Sequence, residues 1–238
     1  CRSGTREMVR AGETNLGNLA TDAMLELTGA DVALTNGGGI RASIEEGEIT
    51  KGEILEVFPF GNYVVVKELT GANILSALEH GTKSYPEVAG GFPHVAGMTY
   101  KIDLSKEVGS RIVDLMINDE PVDLEKTYTL ATNDFMAVGG DGYDSLKEGV
   151  LVGEYEGLDE ALIAYIEKLG EGEYEVEGRI TSIGELPEPE VEEPVEETPE
   201  IEPVPEIEEP EVVVPEPVLE TKEEIYVVKA GDVLWKIA

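Results

Sequence analysis

Three arginines, Arg6, Arg10 and Arg41, are the residues whose types and places point first to chemistry. The other arginines of the chain are Arg2, Arg111 and Arg179. Arg6 and Arg10 flank the predicted start of a helix at Thr14. Arg41 closes the stretch Asn-Gly-Gly-Gly-Ile-Arg, residues 36–41, which gives up three side chains in succession. If the glycine turn packs beside the helix start, three guanidiniums converge next to free helix N–H groups. That arrangement suits an anion, and phosphate matches the guanidinium fork best. The same charges are also compatible with surface ion pairs to the many glutamates.

Two phenylalanines follow or precede glycine-rich turns, Phe60 in Phe-Pro-Phe-Gly-Asn and Phe135 in Thr-Asn-Asp-Phe-Met-Ala-Val-Gly-Gly-Asp-Gly-Tyr-Asp. Aromatic residues make up only 6% of the chain, so rings placed in polar turns are candidates for stacking on a planar group. Asp141, between Gly140 and Gly142, has the chemistry to accept hydrogen bonds from a diol. A tight turn that favours Asp explains the same residue.

No nucleophile elbow, Walker loop or metal-spaced His, Cys and Asp cluster occurs. The two histidines, His80 and His94, are fourteen positions apart. His80 reads as a helix-end packing residue. His94 follows Gly-Gly-Phe-Pro and reads as a loop residue, with a place at the edge of a ligand as the second reading.

These residues must be positioned by a scaffold. Leu16, Leu19, Ala20, Ala23, Met24 and Leu27 recur at helical spacing between a Thr14 cap and a Gly29 stop. Asp-Val-Ala-Leu-Thr-Asn reads as a short buried strand. Helices are predicted for the stretches beginning at Thr50, Thr70 and Leu158. Strands are predicted for Asn-Tyr-Val-Val-Val-Lys-Glu-Leu, for the alternating runs from Met98, Arg111 and Thr127, and for a closing strand near Ile180. The order implies an α/β fold with α+β tendency, built on a mixed sheet with packed helices.

The chain of 238 residues carries 51 acidic and 17 basic side chains, a net charge of −34. That balance excludes nucleic acid as a partner, because phosphate backbones require a basic face. No run approaches the roughly 20 apolar residues that cross a membrane. Cys1 is the single cysteine, so no internal disulfide is expected. A start at Cys1 fits a lipidated N-terminus or, more simply, a fragment.

Composition divides the chain into a globular part, residues 1–185, an acidic spacer, residues 186–224, and a short terminal piece, residues 225–238. The spacer holds nine prolines and fourteen glutamates between residues 187 and 220. Charge repulsion and proline predict an extended segment reaching about 100 Å. The last piece, Ile-Tyr-Val-Val-Lys-Ala-Gly-Asp-Val-Leu-Trp-Lys-Ile-Ala, resembles the start of a LysM module. A complete module of that kind implies a peptidoglycan or chitin-type glycan partner, and with it an extracellular or cell-wall-associated place.

Four stretches in order resemble the C-terminal domain of the 5′-nucleotidase family. They are Arg-Ala-Gly-Glu-Thr-Asn-Leu-Gly-Asn-Leu-Ala-Thr-Asp-Ala-Met (10–24), Leu-Thr-Asn-Gly-Gly-Gly-Ile-Arg (34–41), Val-Phe-Pro-Phe-Gly-Asn (57–62) and Ala-Thr-Asn-Asp-Phe-Met-Ala-Val-Gly-Gly-Asp-Gly-Tyr (131–143). The resemblance covers about residues 3–184 and the family includes UDP-sugar hydrolases and cyclic-nucleotide phosphodiesterases. It implies an AMP-like nucleotide or nucleoside as partner. Phe60 and Phe135 match the base-stacking pair, Asp141 the ribose-binding carboxylate, and Arg6, Arg10 and Arg41 the phosphate-facing arginines. Asn36 and Gly39 match the loop against the nucleotide, Asn62 a base-contacting amide of some members, and Gly90 a backbone contact to the base. His94 departs from the glutamine of many members. The resemblance implies no catalytic residue, metal or cofactor in this chain. It implies two divalent metal ions in a separate N-terminal domain that performs the hydrolysis. The alternatives are a non-catalytic wall-associated binding or spacer protein, and a cyclic-nucleotide or UDP-sugar hydrolase of the same family.

Overall fold

The computed structural model describes residues 5–172 and 174–186. The expected spacer and LysM-like piece lie outside the described residues, apart from residue 186, and so does Cys1.

Local sequence explains where the helices begin. Helix α1, Asn15–Thr28, starts where the Thr14 hydroxyl accepts from the Gly17 N–H, and it stops at Gly29 in the left-handed region at φ 66°. Strand β1, Val32–Asn36, is buried throughout and runs into a 3-10 turn, Gly37–Gly39. Helix α2, Lys51–Val57, opens with a reciprocal Thr50 and Glu53 capping box. Strand β2, Tyr63–Thr70, leads directly into α3, Gly71–Thr82, capped in the same way by Thr70 and Asn73.

Strands β3, Pro93–Ala96, β4, Met98–Asp103, β5, Ile112–Ile117, and β6, Glu120–Pro121, follow. Strand β7, Thr127–Asn133, passes into the short α4, Asp134–Ala137, a 3-10 turn at Gly140–Gly142, and α5, Asp144–Lys147. Strand β8, Val150–Gly157, helix α6, Leu158–Leu169, and strand β9, Ile180–Ile183, complete the described fold.

The strands form two mixed sheets. The five-stranded sheet has the order β3-β1-β7-β2-β8, and the four-stranded sheet has the order β6-β5-β4-β9. In the first, β1 and β7 are parallel and the other neighbours antiparallel. Its alternating side chains feed two cores. Ala33, Val64, Val66 and Ala131 pack with α1, α2 and α6, including Leu16, Leu19, Ile54 and Leu162. Val32, Leu34, Leu69 and Leu130 pack with α3 and the smaller sheet through Ile74, Leu78, Tyr100 and Ile102.

Three strands, β3, the two-residue β6 and β8, go beyond the sequence reading. β3 begins at a proline and has four residues, too few to show a period, and it exists because β1 offers it an antiparallel edge. β8 is an edge strand whose Val150, Leu151 and Val152 are all exposed, so it lacks the alternation that marks a half-buried strand. β3 also corrects the reading of His94. The residue is fully buried on β3, opposite Thr35 of β1, and its Nε2 is 2.8 Å from the Val9 carbonyl.

Candidate functional site

The pairing of the larger sheet brings four separated loops to one end. Because β1 and β7 are parallel, the residues that follow them, 37–41 and 134–142, leave on the same side. β2 and β3 are antiparallel to those strands, so the residues before them, 60–62 and 90–91, arrive there too: Val64 pairs with Asn133, and Pro93 with Asn36. The segment of Arg6 and Arg10 crosses this end. The Arg10 carbonyl accepts from Ala89 N at 3.0 Å, and a Cβ on Gly37 would stand 1.8 Å from the Val9 carbonyl oxygen. Gly37 is therefore glycine because another backbone lies against it.

These loops enclose a cleft of about 460 Å³. Arg10, Asn36, Gly39, Arg41, Phe60, Asn62, Gly90, Phe135 and Asp141 all line it, together with Gly38. Of the ten residues that the resemblance assigns to the nucleotide, Arg6 alone is not on its wall. Arg6 is exposed beside Arg10, and its charge reaches the Arg10 guanidinium.

The polar floor is a chain of side-chain hydrogen bonds. Asn133 Nδ2 donates to Asn36 Oδ1 at 3.2 Å and to Thr35 Oγ1 at 3.1 Å. Asn36 Nδ2 then donates to Asp141 Oδ2 at 2.7 Å. Asn62 Nδ2 donates at 2.7 Å to Asp134 Oδ1, which also accepts from Tyr63 N. The glycine turn is fastened by Gly37 N to the Phe92 carbonyl and Gly38 N to the Gly90 carbonyl, both at 2.7 Å.

The walls are apolar and cationic. Phe60 and Phe135 are 62% and 42% exposed, so neither ring is spent on the core. Phe135 leans over the turn that carries Asp141, since a Cβ on Gly140 would meet its ring at 2.5 Å. The Arg41 guanidinium lies 5.6 Å from the Phe60 ring centroid. Burial, followed by the like charges of Arg6 and Arg41, lowers the Arg10 pKa, while Asp141 opposes the shift. The Arg10 Nε is buried without a hydrogen-bond partner. An anion between these guanidiniums would relieve both the repulsion and the unmet donor.

The expected help from the α1 N-terminus is not found. None of its first-turn residues lines the cleft. Glu13 at that end turns to Asn18 Nδ2 and to the N–H groups of Glu177 and Ile180, joining α1 to β9.

Sequence reading passed over three supports. Asp134 and Asn133 sit within the motif around Phe135 and hold Asn62 and Asn36. Lys67, alternating with valines along β2, is buried, and burial lowers its pKa; its Nζ donates to the Ala137 and Leu146 carbonyls at 3.1 and 2.6 Å. A lysine inside an apolar strand was the available signal. Among the described residues, no group of three or more His, Cys, Asp or Glu side chains is arranged to hold a metal ion, and no helix is long and apolar enough to cross a membrane.

A larger groove of about 720 Å³ lies elsewhere, lined by Glu46, Glu48, Glu167, Glu171 and Glu175 together with Ile49, Ile166 and Tyr174. It holds none of the basic or stacking residues, and its charge repels anions.

The chain is similar to known proteins in both sequence and fold. The trifunctional nucleotide phosphoesterase protein YfkN of Bacillus subtilis is 42% identical over 191 residues, covering 76% of this chain and 13% of that protein. Protein UshA of Escherichia coli is 40% identical over 184 residues, covering 75% of this chain and 32% of UshA. The crystal structure of a 5′-nucleotidase precursor from Thermus thermophilus superposes with a TM-score of 0.72 at 44% identity, over 79% of this chain and 38% of that one. This chain thus spans a third or less of the two curated relatives. Residues 2–148 match the family described as 5′-nucleotidase, C-terminal domain. With fold and sequence in agreement, the chain belongs to the 5′-nucleotidase C-terminal domain family.

Proposed function

We propose that this chain is the nucleotide-binding part of a larger 5′-nucleotidase that hydrolyses phosphate monoesters. The observation that carries the reading is the convergence of two exposed phenylalanines, one carboxylate and two arginines on a single cleft. Phe60 and Phe135 stack on the base. Asp141 accepts hydrogen bonds from the ribose hydroxyls, and Asn36 fixes its orientation. Arg10 and Arg41 hold the phosphate, with Arg6 adding its charge from the rim. Asn62, Gly39 and Gly90 complete the wall against the nucleotide.

In this reading the base and sugar contacts supply binding energy far from the reacting phosphorus, and that energy positions the phosphate. The metal ions that the family resemblance implies would be held by a part of the enzyme beyond this chain, where they would supply Lewis-acid stabilisation of negative charge. The Pro/Glu-rich spacer and LysM-like piece support an extracellular or wall-associated enzyme.

Calorimetry on the 238-residue chain tests the clamp. Adenosine and AMP both bind, and added salt weakens AMP more, because its phosphate faces guanidiniums. Phe60→Ala and Phe135→Ala each weaken both ligands by about 5- to 100-fold, the range of one aromatic–base stack. Unchanged affinity in both variants would refute the clamp. The chain alone releases no phosphate from AMP, and robust metal-dependent hydrolysis by it overturns the division of labour.

A further inference from the structure

We infer that His80 is the positioning residue for Asp141, and that its Nε2–H sets how well the cleft discriminates a ribose from a sugar without hydroxyls. The inference rests on the proposed role of Asp141 and adds a residue outside the cleft wall.

Asp141 is held in a conformation uncommon for a residue with a side chain, although Asp adopts it more readily than most. Its φ is 53° and its ψ 17°, the left-handed region, inside a turn whose neighbours Gly139 and Gly142 also have positive φ. Such a residue stays in place only if its surroundings fix it. One restraint is the Asn36 amide on its carboxylate. The other acts on its backbone, where the Asp141 carbonyl oxygen lies 2.8 Å from His80 Nε2. A carbonyl only accepts, so Nε2 carries the proton and donates.

The surroundings of His80 are built for this contact. The ring comes from the last turn of α3 and lies so close to Gly142 that a Cβ there would sit 2.7 Å from Cε1. It meets Tyr143 edge to face at 5.2 Å between centroids. Tyr143 is fully buried and its hydroxyl donates to the Gly91 carbonyl, next to Gly90 of the cleft wall. His80 thus connects the rigid α3 to the turn that aims Asp141, and it does not itself line the cleft. With the donor lost, the turn keeps its packing and the Asn36 contact, but the backbone that carries the carboxylate is no longer anchored to α3, and the carboxylate is less well placed for the ligand hydroxyls. The cost falls on ligand hydroxyls and not on the base.

The test compares adenosine with 2′,3′-dideoxyadenosine by calorimetry on the 238-residue chain. Wild type favours adenosine by about tenfold or more, the worth of a hydrogen bond to a charged group. His80→Phe keeps a ring against Tyr143 but no donor, and its preference falls to within about twofold, while dideoxyadenosine binds as in wild type. His80→Gln, whose terminal amide can reach the same carbonyl, recovers most of the preference. A preference that survives His80→Phe, or is lost equally in His80→Gln, overturns the inference while leaving the nucleotide-binding reading intact. A wild type that binds adenosine without preference over the dideoxy analogue removes the role of Asp141 and the inference with it. A wild type that binds no adenosine refutes the proposed function itself. Imidazole nitrogen shifts of the unmutated chain give a reading independent of variant folding: a proton on Nε2 is expected, and a bare Nε2 overturns the proposal.

Discussion

The Asn36 amide nitrogen donates to the Asp141 carboxylate at 2.7 Å, across 105 positions of sequence. The contact joins the glycine turn after β1 to the Gly-Asp-Gly turn after β7. Its direction is set behind it, because Asn36 Oδ1 is occupied by the Asn133 amide and only Nδ2 is left to face the carboxylate. The two loops that carry a guanidinium and a carboxylate toward one cleft are therefore a single hydrogen-bonded unit.

Breaking that unit gives the first prediction. Asn36 is 5% exposed and its Oδ1 accepts from the buried Asn133 amide, so Asn36→Ala weakens that buried contact, frees the exposed Asp141 carboxylate and destabilises the fold by about 1–3 kcal/mol. Asn36→Asp is worse at neutral pH, because two carboxylates then face each other at hydrogen-bond distance. Their repulsion raises a carboxyl pKa in the folded state above its unfolded value, so the folded protein takes up a proton first. The extra penalty of Asn36→Asp over Asn36→Ala shrinks as pH falls toward the carboxylate range. Thermal melts of both variants across that range check this, and a gap independent of pH contradicts it.

The glycine turn gives the second. Gly37→Ala places a Cβ 1.8 Å from the Val9 carbonyl oxygen, and backbone must move on one side or the other. The expected cost is about 3 kcal/mol or more, with weakened AMP binding because the Arg10 segment is displaced. Gly12→Ala is the control, since a Cβ there would find nothing within 4 Å and stability changes by less than about 0.5 kcal/mol. Urea titration of the pair separates close approach from generic glycine loss, and equal effects in the two variants count against the steric account.

His94 gives a pH dependence. Burial drives its pKa from the ordinary 6.5 down to about 4, with the bond to Val9 and the charge of Glu13 opposing. The unfolded chain therefore binds a proton that the folded chain refuses. The neutral-histidine contribution is complete above 6.5 and is lost as pH falls through about 4, amounting to about 3 kcal/mol. His94→Gln retains a donor toward Val9 without the titrating group, so its stability falls less over that window. Urea midpoints of both proteins measured at each end of the window decide it, and parallel losses rule out His94 as the source.

Lys67 gives the fourth. Its ammonium sits under the Ala137 and Leu146 carbonyls, at both ends of the segment that carries Asp141. Lys67→Met keeps the bulk and removes the donors, leaving carbonyls unpaired at a cost of about 1–3 kcal/mol. Amide hydrogen exchange in residues 138–145 accelerates more than in α1, and adenosine affinity falls. Uniform exchange across the fold argues that Lys67 serves stability alone.

Much of this protein is written locally. Thr14, Thr50 and Thr70 start helices because a hydroxyl meets the free N–H groups of the next turn, and the apolar period along Leu16 to Leu27 needs nothing remote. The order of the four motifs was enough to propose the stacking pair, the carboxylate and the arginines. Their meeting was not local. It follows from the parallel pairing of β1 with β7 and the antiparallel pairing of β2 and β3, which sends four loops to one end of the sheet. The same pairing decided what sequence misjudged. His94 is buried because its register opposite Thr35 turns it toward Gly17 of α1. The α1 N-terminus faces away because Glu13 is drawn to the backbone at 177–180. The sequence by itself determined which side chains were available for phosphate, sugar and base. Only the tertiary structure decided which of them share a cleft, because strand pairing and backbone contact act between residues that no local pattern connects.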